Sequence, residues 1–447
     1  MGSKWERLGK LGALTTRVGG SYVGQAVTGL FQGEAARGES LRRVHLENAA
    51  RIAGQLGQLK GVAMKVGQQL AQFADVQGIP EEARALLGSL HDRVEPVPFD
   101  VVRARVEAEL DAAIEVRFRR FDPAPLGTAS LGQAHAAELP DGTPVVVKVL
   151  HAGVEDTVGS DLAAARAMLH AGRFVRRPRE EVEAIFAELG ARIAEELDYT
   201  READNLEAFR AFFAGDPDLV VPAVHRGWST RRVLTMERLP GRPASVFAAT
   251  ATEAARQRAG VTVVRGFLRM LYGFRAIHAD PHPGNYLFTP DGRVGLLDFG
   301  CVRRFPLPWI VDYGGCGLAT RRDDKAACMR HARAMGALVD AGASDEDVLW
   351  DLCRAIGAPF TGGDFTLGGP EDVVQERVAA LMPHVILARG VRSPPELVYL
   401  HRGLAGAYHL ARGFSARHDW GAMFEGLYLG AVADLARAEG DRGATVP

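Results

Sequence analysis

The sequence predicts an α+β fold, in which helical segments flank a middle part that is rich in strands. Residues 1 to about 95 carry apolar side chains at mixed spacings of three and four, as in "LENAARIAGQLGQLKGVAMKVGQQLAQFADV", a pattern typical of helices. The segment "AAELPDGTPVVVKVL" places β-branched residues around Asp141-Gly142, which predicts a hairpin. Beyond residue 240 the pattern is again helical, interrupted by a second hairpin signal in "NYLFTPDGRVGLLDF".

Length and spacing of these segments predict three parts. Residues 1–98 form an N-terminal helical extension, which "GIP" and the linker-like "VEPVP" bring to an end. Residues 99–240 begin with the helix "FDVVRARVEAEL", continue through strands and one or two acidic helices, and end with the short strand "RRVLTMERLPG". Residues 241–447 form a mainly helical part. A chain of 447 residues with 47% hydrophobic content can bury a core in each of several domains.

Composition excludes some classes of protein. The 53 Lys and Arg residues nearly balance the 55 Asp and Glu residues, so no global basic field favours a nucleic-acid partner. Four cysteines, Cys301, Cys316, Cys328 and Cys353, contain no C-x-x-C pair, which favours free thiols in a reducing compartment. No window approaches the roughly 18 consecutive apolar residues of a membrane span, and the chain does not open like a secretory signal. We therefore expect a cytoplasmic protein.

The first residues leave two interpretations open. Leu8, Leu11 and Leu14 can share one helical face among several basic residues, which is compatible with a helix lying on a membrane surface. The alternative is a leading helix that docks on its own domain. A peripheral membrane contact is therefore one of the expectations.

The segment "HADPHPGNYLFTPDGRVGLLDFG" carries the strongest chemical signal. Asp280 precedes Asn285 by five positions, which is the spacing of the catalytic Asp and the metal-binding Asn in the kinase catalytic loop. Asp298 begins a D-F-G triplet, in which the Asp holds Mg²⁺. Carboxylate and amide oxygens are the hard ligands that Mg²⁺ prefers, and a carboxylate can orient or deprotonate an attacking hydroxyl. The hairpin between the two groups predicts that the three side chains converge.

Two histidines in this segment allow a different interpretation. His278 and His282 stand four positions apart, as zinc ligands do on a helix, but Pro281 and Pro283 disfavour a helix through them. The structural alternative is that the histidines fasten the loop through hydrogen bonds and packing.

A second group of residues predicts a phosphate site upstream. Lys148 ends "VVVK" on a predicted strand, where a kinase-like fold places the lysine that contacts the α and β phosphates. A buried lysine needs a carboxylate partner, and the acidic segment downstream offers Glu195, Glu196, Asp198 and Glu202. Of these, Glu195, Asp198 and Glu202 follow the spacing i, i+3, i+7 and are expected on one helical face. Lys148 as a solvated strand-edge residue is the simpler alternative.

The stretch "GTASLG" lies just before this strand. Gly127 and Gly132 match the first and third glycines of the phosphate-covering G-x-G-x-x-G loop, whereas Ala129 stands at the middle position. On this pattern alone the stretch is either a phosphate-covering loop or only a turn between two strands. As a phosphate-covering loop it would contact the nucleotide through Gly127, Thr128, Ala129 and Ser130. A methyl group at the middle position hinders the close approach to phosphate that glycine permits, so we expect altered handling of the γ-phosphate.

Taken together, these motifs resemble the UbiB family, also called AarF, of atypical protein-kinase-like proteins associated with ubiquinone and isoprenoid-lipid metabolism. The resemblance covers roughly residues 45 to 305. Its motifs are the K-x-G-Q signature Lys65-Val66-Gly67-Gln68, the alanine-containing loop, the E-x-D signature Glu196-Leu197-Asp198, "HADPHPGN" and Asp298-Phe299-Gly300. The family implies a bilobal kinase-like fold with the K-x-G-Q motif on the N-terminal helical extension.

The resemblance also implies a role for each matching residue. Lys148 would be the phosphate-contacting lysine and Glu202 its helix partner; Asp280 would be the catalytic-loop Asp, and Asn285 and Asp298 the metal ligands.

Further roles are implied for the remaining motifs. Lys65 would pair with Glu196 or Asp198, and Gln68 would approach the nucleotide. Met236 and Glu237 would form the hinge that holds adenine.

The predicted function follows from this resemblance. We expect a Mg²⁺-dependent ATPase that binds ATP or ADP and supports isoprenoid-quinone or lipid metabolism, with a quinone-like lipid and enzymes of lipid biosynthesis as partners. Gly127 and Thr128 stand where the family usually has alanines, which leaves the preference for ATP or ADP open. A true phosphotransferase acting on a small molecule or lipid is the alternative, because the same residues would serve it. A nucleotide-binding scaffold without turnover is the third hypothesis.

Overall fold

The computed structural model describes residue 47 and residues 96–171, 179–280 and 282–443. These residues divide into two compact units. The first contains the described residues up to Ala203 together with Val224–Arg238, and the second contains Asp204–Ala223 together with the residues from Leu239 onward. Lys65, Gln68 and almost all of the predicted N-terminal extension lie outside the described residues.

The helices and strands alternate irregularly along the chain. The helices are α1 (Phe99–Leu110), α2 (Ile114–Arg117), α3 (Val158–Ala171), α4 (Arg179–Glu196), α5 (Tyr199–Phe212), α6 (Ala244–Thr250), α7 (Glu253–Tyr272), α8 (Leu307–Arg321), α9 (Lys325–Ala334), α10 (Ala343–Gly357), α11 (Val374–Leu387), α12 (Pro395–Gly413) and α13 (Trp420–Gly443). The strands are β1 (Arg120–Thr128), β2 (Gly132–Glu138), β3 (Pro144–Leu150), β4 (Leu219–Val220), β5 (Val233–Glu237), β6 (Ala276–His278), β7 (Tyr286–Phe288), β8 (Val294–Leu296), β9 (Val302–Arg304), β10 (Phe365–Thr366) and β11 (Arg417–His418).

The first unit is built on an antiparallel sheet with the strand order β1-β2-β3-β5. The predicted Asp141-Gly142 turn joins β2 to β3, and Gly142 adopts a φ of +90°, which favours glycine. Alternate side chains of β3 point into a core that helix α1 covers, because every second residue of a strand faces the same side. The buried residues of this core include Val102, Val106, Leu110, Val145, Val147 and Val149.

The second unit is mainly helical and carries small sheets. Most residues of helix α7 are buried, among them Phe267 and Leu271, and α12 packs against this helix. The predicted second hairpin is formed by β7 and β8, whose turn contains Gly292 at a φ of +84°. Strand β4 pairs in parallel with β8, and β6 pairs antiparallel with β9. Among the described residues, no helix combines the length and the apolar character needed to cross a membrane.

Candidate functional site

Lys148 lies on the central strand β3 of the first unit, between β2 and β5. Its neighbours Val147 and Val149 face the core, so the lysine side chain is on the opposite face of the sheet. The Nζ atom lies 2.6 Å from Oε1 of Glu202, and only 15% and 5% of the two side chains are exposed. The carboxylate that pairs with this buried lysine is therefore the one that the family resemblance implies.

The acidic segment before Glu202 is not one helix. Helix α4 ends at Glu196, and α5 begins at Tyr199. Asp198 caps the new helix, because its Oδ1 accepts a hydrogen bond from the backbone N–H of Thr200 at 3.0 Å. The expected common helical face of Glu195, Asp198 and Glu202 is therefore wrong. The break instead places Glu202 in the first turn of α5, while Glu195 pairs with Arg201.

The E-x-D residues Glu196 and Asp198 lie at this break and are half-buried. Arg231 approaches Asp198, with its Nε 3.6 Å from Oδ2. Their implied pairing with Lys65 falls outside the described residues and stays a prediction.

The "GTASLG" stretch forms the turn between β1 and β2. The backbone N–H of Ala129 donates to the carbonyl of Gly132 at 2.8 Å, and Ser130 is buried inside the turn. A side chain on Gly132 would place its Cβ 2.6 Å from the Val149 carbonyl oxygen, whereas a Cβ on Gly127 would meet no atom within 4 Å. The third glycine is thus required by the packing of β2 on β3, and the predicted phosphate contacts of Gly127, Thr128, Ala129 and Ser130 stay predictions.

This difference between the two glycines can be measured. We expect Gly132→Ala to lower the free energy of unfolding by about 1–3 kcal/mol, because overpacking forces the strand backbone to move. Gly127→Ala is the matched control and is expected to leave the urea-unfolding midpoint unchanged, since its added methyl group enters open space. Equal midpoints for the two variants would contradict the packing role of Gly132.

Met236 and Glu237 are the last two residues of β5, which pairs with β3 through Val146 and Val145. Met236 is buried, and the chain leaves the first unit just afterwards, at Arg238. A hinge at this point remains a prediction.

The catalytic-loop residues belong to the second unit. Strand β6 ends at His278, and a short helical turn, Pro283–Asn285, leads into β7. The Nδ2 atom of Asn285 donates to Asp280 at Oδ2 (3.1 Å) and at its backbone oxygen (3.2 Å). Because its amide nitrogen is directed at Asp280, the Oδ1 atom of Asn285 is turned the other way, as a ligand of a cation requires.

The two histidines hold the loop through backbone groups. Nδ1 of His278 accepts from the N–H of Asp280, and Nδ1 of His282 accepts from the N–H of Gly284, each at 3.1 Å. Their helical turn covers only Pro283–Asn285, so the two rings do not share a helix. These contacts correspond to the structural alternative to zinc binding, in which the histidines fasten the loop through hydrogen bonds.

Asp298 follows the end of β8. The hairpin pairs Tyr286 with Leu296, and the next backbone bond runs from Leu297 N–H to the Asn285 carbonyl at 3.0 Å. Asn285 and Asp298 therefore lie at the same end of one hairpin. Oδ1 of Asp298 accepts from Gly300 N–H at 3.0 Å, which bends the chain after the strand.

Phe299 anchors the D-F-G segment. It is fully buried, its ring centroid is 4.5 Å from that of Phe209 on α5, and its carbonyl accepts from Nδ2 of Asn205 at 3.0 Å. A second ring contact, at 5.5 Å, joins Phe299 to His278 in the neighbouring loop. Packing of this phenylalanine thus fixes the backbone on which Asp298 stands.

Arg402 on helix α12 is an additional residue of this site. Its Nη2 atom lies 2.9 Å from Oδ1 of Asp280, so both carboxylate oxygens of Asp280 have partners. Helix α12 approaches closely because Gly403 has no side chain; a Cβ there would lie 2.7 Å from the Phe267 ring. Arg402 belongs to none of the motifs identified in the sequence. The one feature that could have indicated its role is that a charged residue stands close to the buried residues Leu400 and Gly403, because a charge in such a position needs a partner.

We expect Arg402→Ala to lower the rate of phosphate release from ATP about tenfold, because Asp280 loses one of the two contacts that orient it. The KM for ATP and the thermal midpoint should stay close to those of the wild type, and Arg402→Lys should recover part of the rate. Arg412→Ala, which removes another Arg–Asp pair on the same helix, is the matched control. An unchanged turnover number in Arg402→Ala would show that this pair does not orient Asp280.

Comparisons with known proteins identify the family of this chain. A model of the ABC1 atypical kinase-like domain matches residues 89–332. Atypical kinase COQ8, mitochondrial, of Saccharomyces cerevisiae is 28% identical over 430 residues, which cover 95% of this chain and 85% of the yeast protein. Atypical kinase COQ8B, mitochondrial, of Rattus norvegicus is 30% identical over 418 residues, which cover 91% of this chain and 77% of the rat protein.

A solved structure shows the same fold. It is described as the complex of Rv3197 from Mycobacterium tuberculosis with erythromycin, and it matches with a TM-score of 0.59 and 26% identity. The match covers 83% of this chain and 93% of the mycobacterial chain. The fold is therefore the predicted α+β kinase-like fold, and the chain belongs to the ABC1 atypical kinase-like family, the UbiB or AarF proteins.

Proposed function

We propose that this kinase-like enzyme is a Mg²⁺-dependent ATPase whose turnover supports isoprenoid-quinone or other lipid metabolism. Its family implies an adenine nucleotide and a divalent metal ion. The observation that carries the proposal is the hydrogen bonding of Asn285, which binds Asp280 through Nδ2 and directs Oδ1 away from it.

Asp298 and Asn285 would hold the metal ion. They offer a carboxylate and an amide oxygen at one end of the β7–β8 hairpin, and such hard oxygen ligands suit Mg²⁺. When bound, Mg²⁺ neutralises the charge that develops on the phosphate oxygens. The contact of Asp298 with Gly300 N–H uses Oδ1 and supports a fixed orientation of the carboxylate.

Lys148 would contact the α and β phosphates. The ammonium group is held by Glu202 at 2.6 Å, and the capped first turn of α5 fixes Glu202. A lysine that is already oriented loses less side-chain entropy when it binds a phosphate. Glu202 is accordingly a positioning residue for Lys148.

Asp280 would orient the attacking water. Arg402 and Asn285 each occupy one of its oxygens, but a carboxylate offers about four lone-pair sites and can accept a further hydrogen bond. Acceptance of a bond from water would align its oxygen for attack on the γ-phosphorus. The new bond would form as the bond to the bridging oxygen of ADP breaks, so ADP would leave and the proton of the water would pass towards Asp280.

The finer assignments rest on the sequence and on its motif resemblance. They are a preference for ATP or ADP set by the Ala129 loop, a quinone-like isoprenoid lipid and enzymes of lipid biosynthesis as partners, and a cytoplasmic protein with peripheral membrane contact. We propose these together with the roles of Met236, Glu237, Lys65, Gln68, Glu196 and Asp198.

The test is a single experiment on the purified 447-residue chain with ATP labelled at the γ-phosphate. Free phosphate and labelled products are measured with Mg²⁺ or with EDTA, and with anionic or neutral liposomes of the same size. Mg²⁺-dependent phosphate release that anionic liposomes accelerate, without labelling of lipid or protein, would support the ATPase. Label in an added lipid, metabolite or protein would instead establish a phosphotransferase, and bound nucleotide without turnover in any condition would leave a scaffold.

A further inference from the structure

Three cysteines of the second unit lie together although they are distant in the sequence. Cys316 on α8, Cys328 on α9 and Cys353 on α10 place their sulfur atoms within 4.8 Å of one another. Cys316 and Cys328 are buried, and Cys353 is half-buried. The fold thus gathers all but one of the four cysteines in the chain from three separate helices.

The distances suit a metal ion bound by three thiolates. With Zn–S bonds of about 2.3 Å and tetrahedral angles, two sulfur ligands of one Zn²⁺ lie about 3.8 Å apart. The sulfur atoms of Cys316 and Cys353 are already 3.9 Å apart. Those of Cys316 and Cys328 are 2.6 Å apart, so these two sulfur atoms would have to move apart by roughly 1 Å to bind the same Zn²⁺ ion.

The surroundings supply a position for a fourth ligand. Cys316 and Cys353 line a cavity of about 140 Å³ whose wall is otherwise mostly apolar and includes Tyr313 and His401. A volume of this size leaves room for a water molecule, whose oxygen a bound metal ion would hold as its fourth ligand. Thr320 donates its hydroxyl proton to the Cys316 carbonyl at 2.8 Å, and its Oγ1 atom lies 3.7 Å from the sulfur of Cys328, so the threonine packs against the cluster.

We infer that Cys316, Cys328 and Cys353 form a binding site for one Zn²⁺ ion, with water from the cavity as the fourth ligand. This site belongs to the second unit alone and is independent of the proposed nucleotide chemistry. Thiolate ligands favour Zn²⁺ over the Mg²⁺ that the oxygen ligands of Asn285 and Asp298 would take. A bound ion would join α8, α9 and α10 and stabilise this helical part.

Binding exchanges protons for the metal. Each S–H bond that breaks releases a proton to solvent while a Zn–S bond forms, so up to three protons leave for each ion bound.

The experiment measures zinc in the full-length chain, purified with its thiols reduced, before and after addition of one equivalent of Zn²⁺ and gel filtration. We expect about one zinc per chain in the wild type and in Cys301→Ser, which removes the cysteine outside the cluster. Cys316→Ser and Cys353→Ser should retain at least tenfold less zinc under the same conditions, a loss of the kind expected when a ligand is removed. A zinc-free wild type, or equal retention in all variants, would overturn the inference.

A second measurement needs no variant and so does not depend on how the variants fold. Bound Zn²⁺ should protect Cys316, Cys328 and Cys353, but not Cys301, from alkylation, as read from the masses of the peptides. Substitution with Co²⁺ should produce the near-ultraviolet absorption of a thiolate–cobalt bond. A disulfide between Cys316 and Cys328 that persists in the reduced preparation, or alkylation that Zn²⁺ does not slow, would instead show that these cysteines hold no metal.

Discussion

Glu202→Ala is expected to lower the free energy of unfolding by about 3 kcal/mol and to abolish measurable phosphate release. Removing one partner of a buried ion pair leaves the other charge desolvated, which costs about 3–5 kcal/mol for fully buried pairs. Lys148 retains 15% exposure, so we place the loss at the lower end of that range. Urea unfolding followed by circular dichroism measures the stability, and the labelled-phosphate assay measures the turnover.

Two further variants make this prediction specific. Lys148→Met combined with Glu202→Leu removes both charges and should be less destabilising than the sum of the single changes, because no buried charge is left behind. Glu115→Ala breaks the exposed pair with Arg103 on the same unit and should leave the unfolding midpoint unchanged. A Glu202→Ala protein as stable as the wild type would mean that the lysine has no need of this carboxylate.

Asp298→Asn is expected to reduce Mg²⁺-dependent phosphate release by two orders of magnitude or more, the size of effect that follows loss of one charge-stabilising group. Asparagine has nearly the same shape and keeps an oxygen that can accept from Gly300 N–H, so the fold should be preserved. What it lacks is the negative charge that holds a divalent cation. Phosphate release is measured over a range of Mg²⁺ concentrations.

The matched control is Asp291→Asn, which removes a carboxylate from the turn of the same hairpin. Asp291 bonds to Thr289 and Arg293 and has no role in the proposed site. Its activity should match that of the wild type. Full activity of Asp298→Asn at saturating Mg²⁺ would refute the assignment of Asp298 as a metal ligand.

Local signals in the sequence predicted much of the fold. The Asp141-Gly142 and Asp291-Gly292 turns, with β-branched residues beside them, correctly gave the two hairpins because the turn chemistry and strand propensity act on neighbouring residues. The spacing of Asp280 and Asn285 places both in one loop, where the structure joins their side chains by a hydrogen bond. These contacts span only a few positions, so their geometry is encoded locally.

Contacts between distant segments were not predictable in this way. Arg402 reaches Asp280 across 122 positions, and only the packing permitted by Gly403 brings helix α12 near enough. The cysteine cluster has no sequence spacing that identifies it, because three helices must fold before the thiols meet. The break between Glu196 and Tyr199 could not be fixed from the sequence, which predicted either one or two helices here. Helical periodicity continues through the break, while the Asp198 cap starts a new helix.

The two glycines of "GTASLG" also differ in a way that the sequence does not reveal. Both match a phosphate-loop pattern, yet only Gly132 is required by a neighbouring strand. A motif alone does not distinguish a glycine needed for packing from one needed for a ligand.

The partial exposure of the Arg402–Asp280 pair makes it sensitive to ionic strength. About a third of each side chain is exposed, at 31% and 37%, so dissolved ions can reach both groups. Screening over a Debye length of about 8 Å at physiological ionic strength weakens such a pair, whereas the more deeply buried Lys148–Glu202 pair is screened much less. Turnover should therefore vary with salt concentration through the orientation of Asp280 while the lysine stays in place, and rates measured in dilute buffer will not equal those at cellular ionic strength.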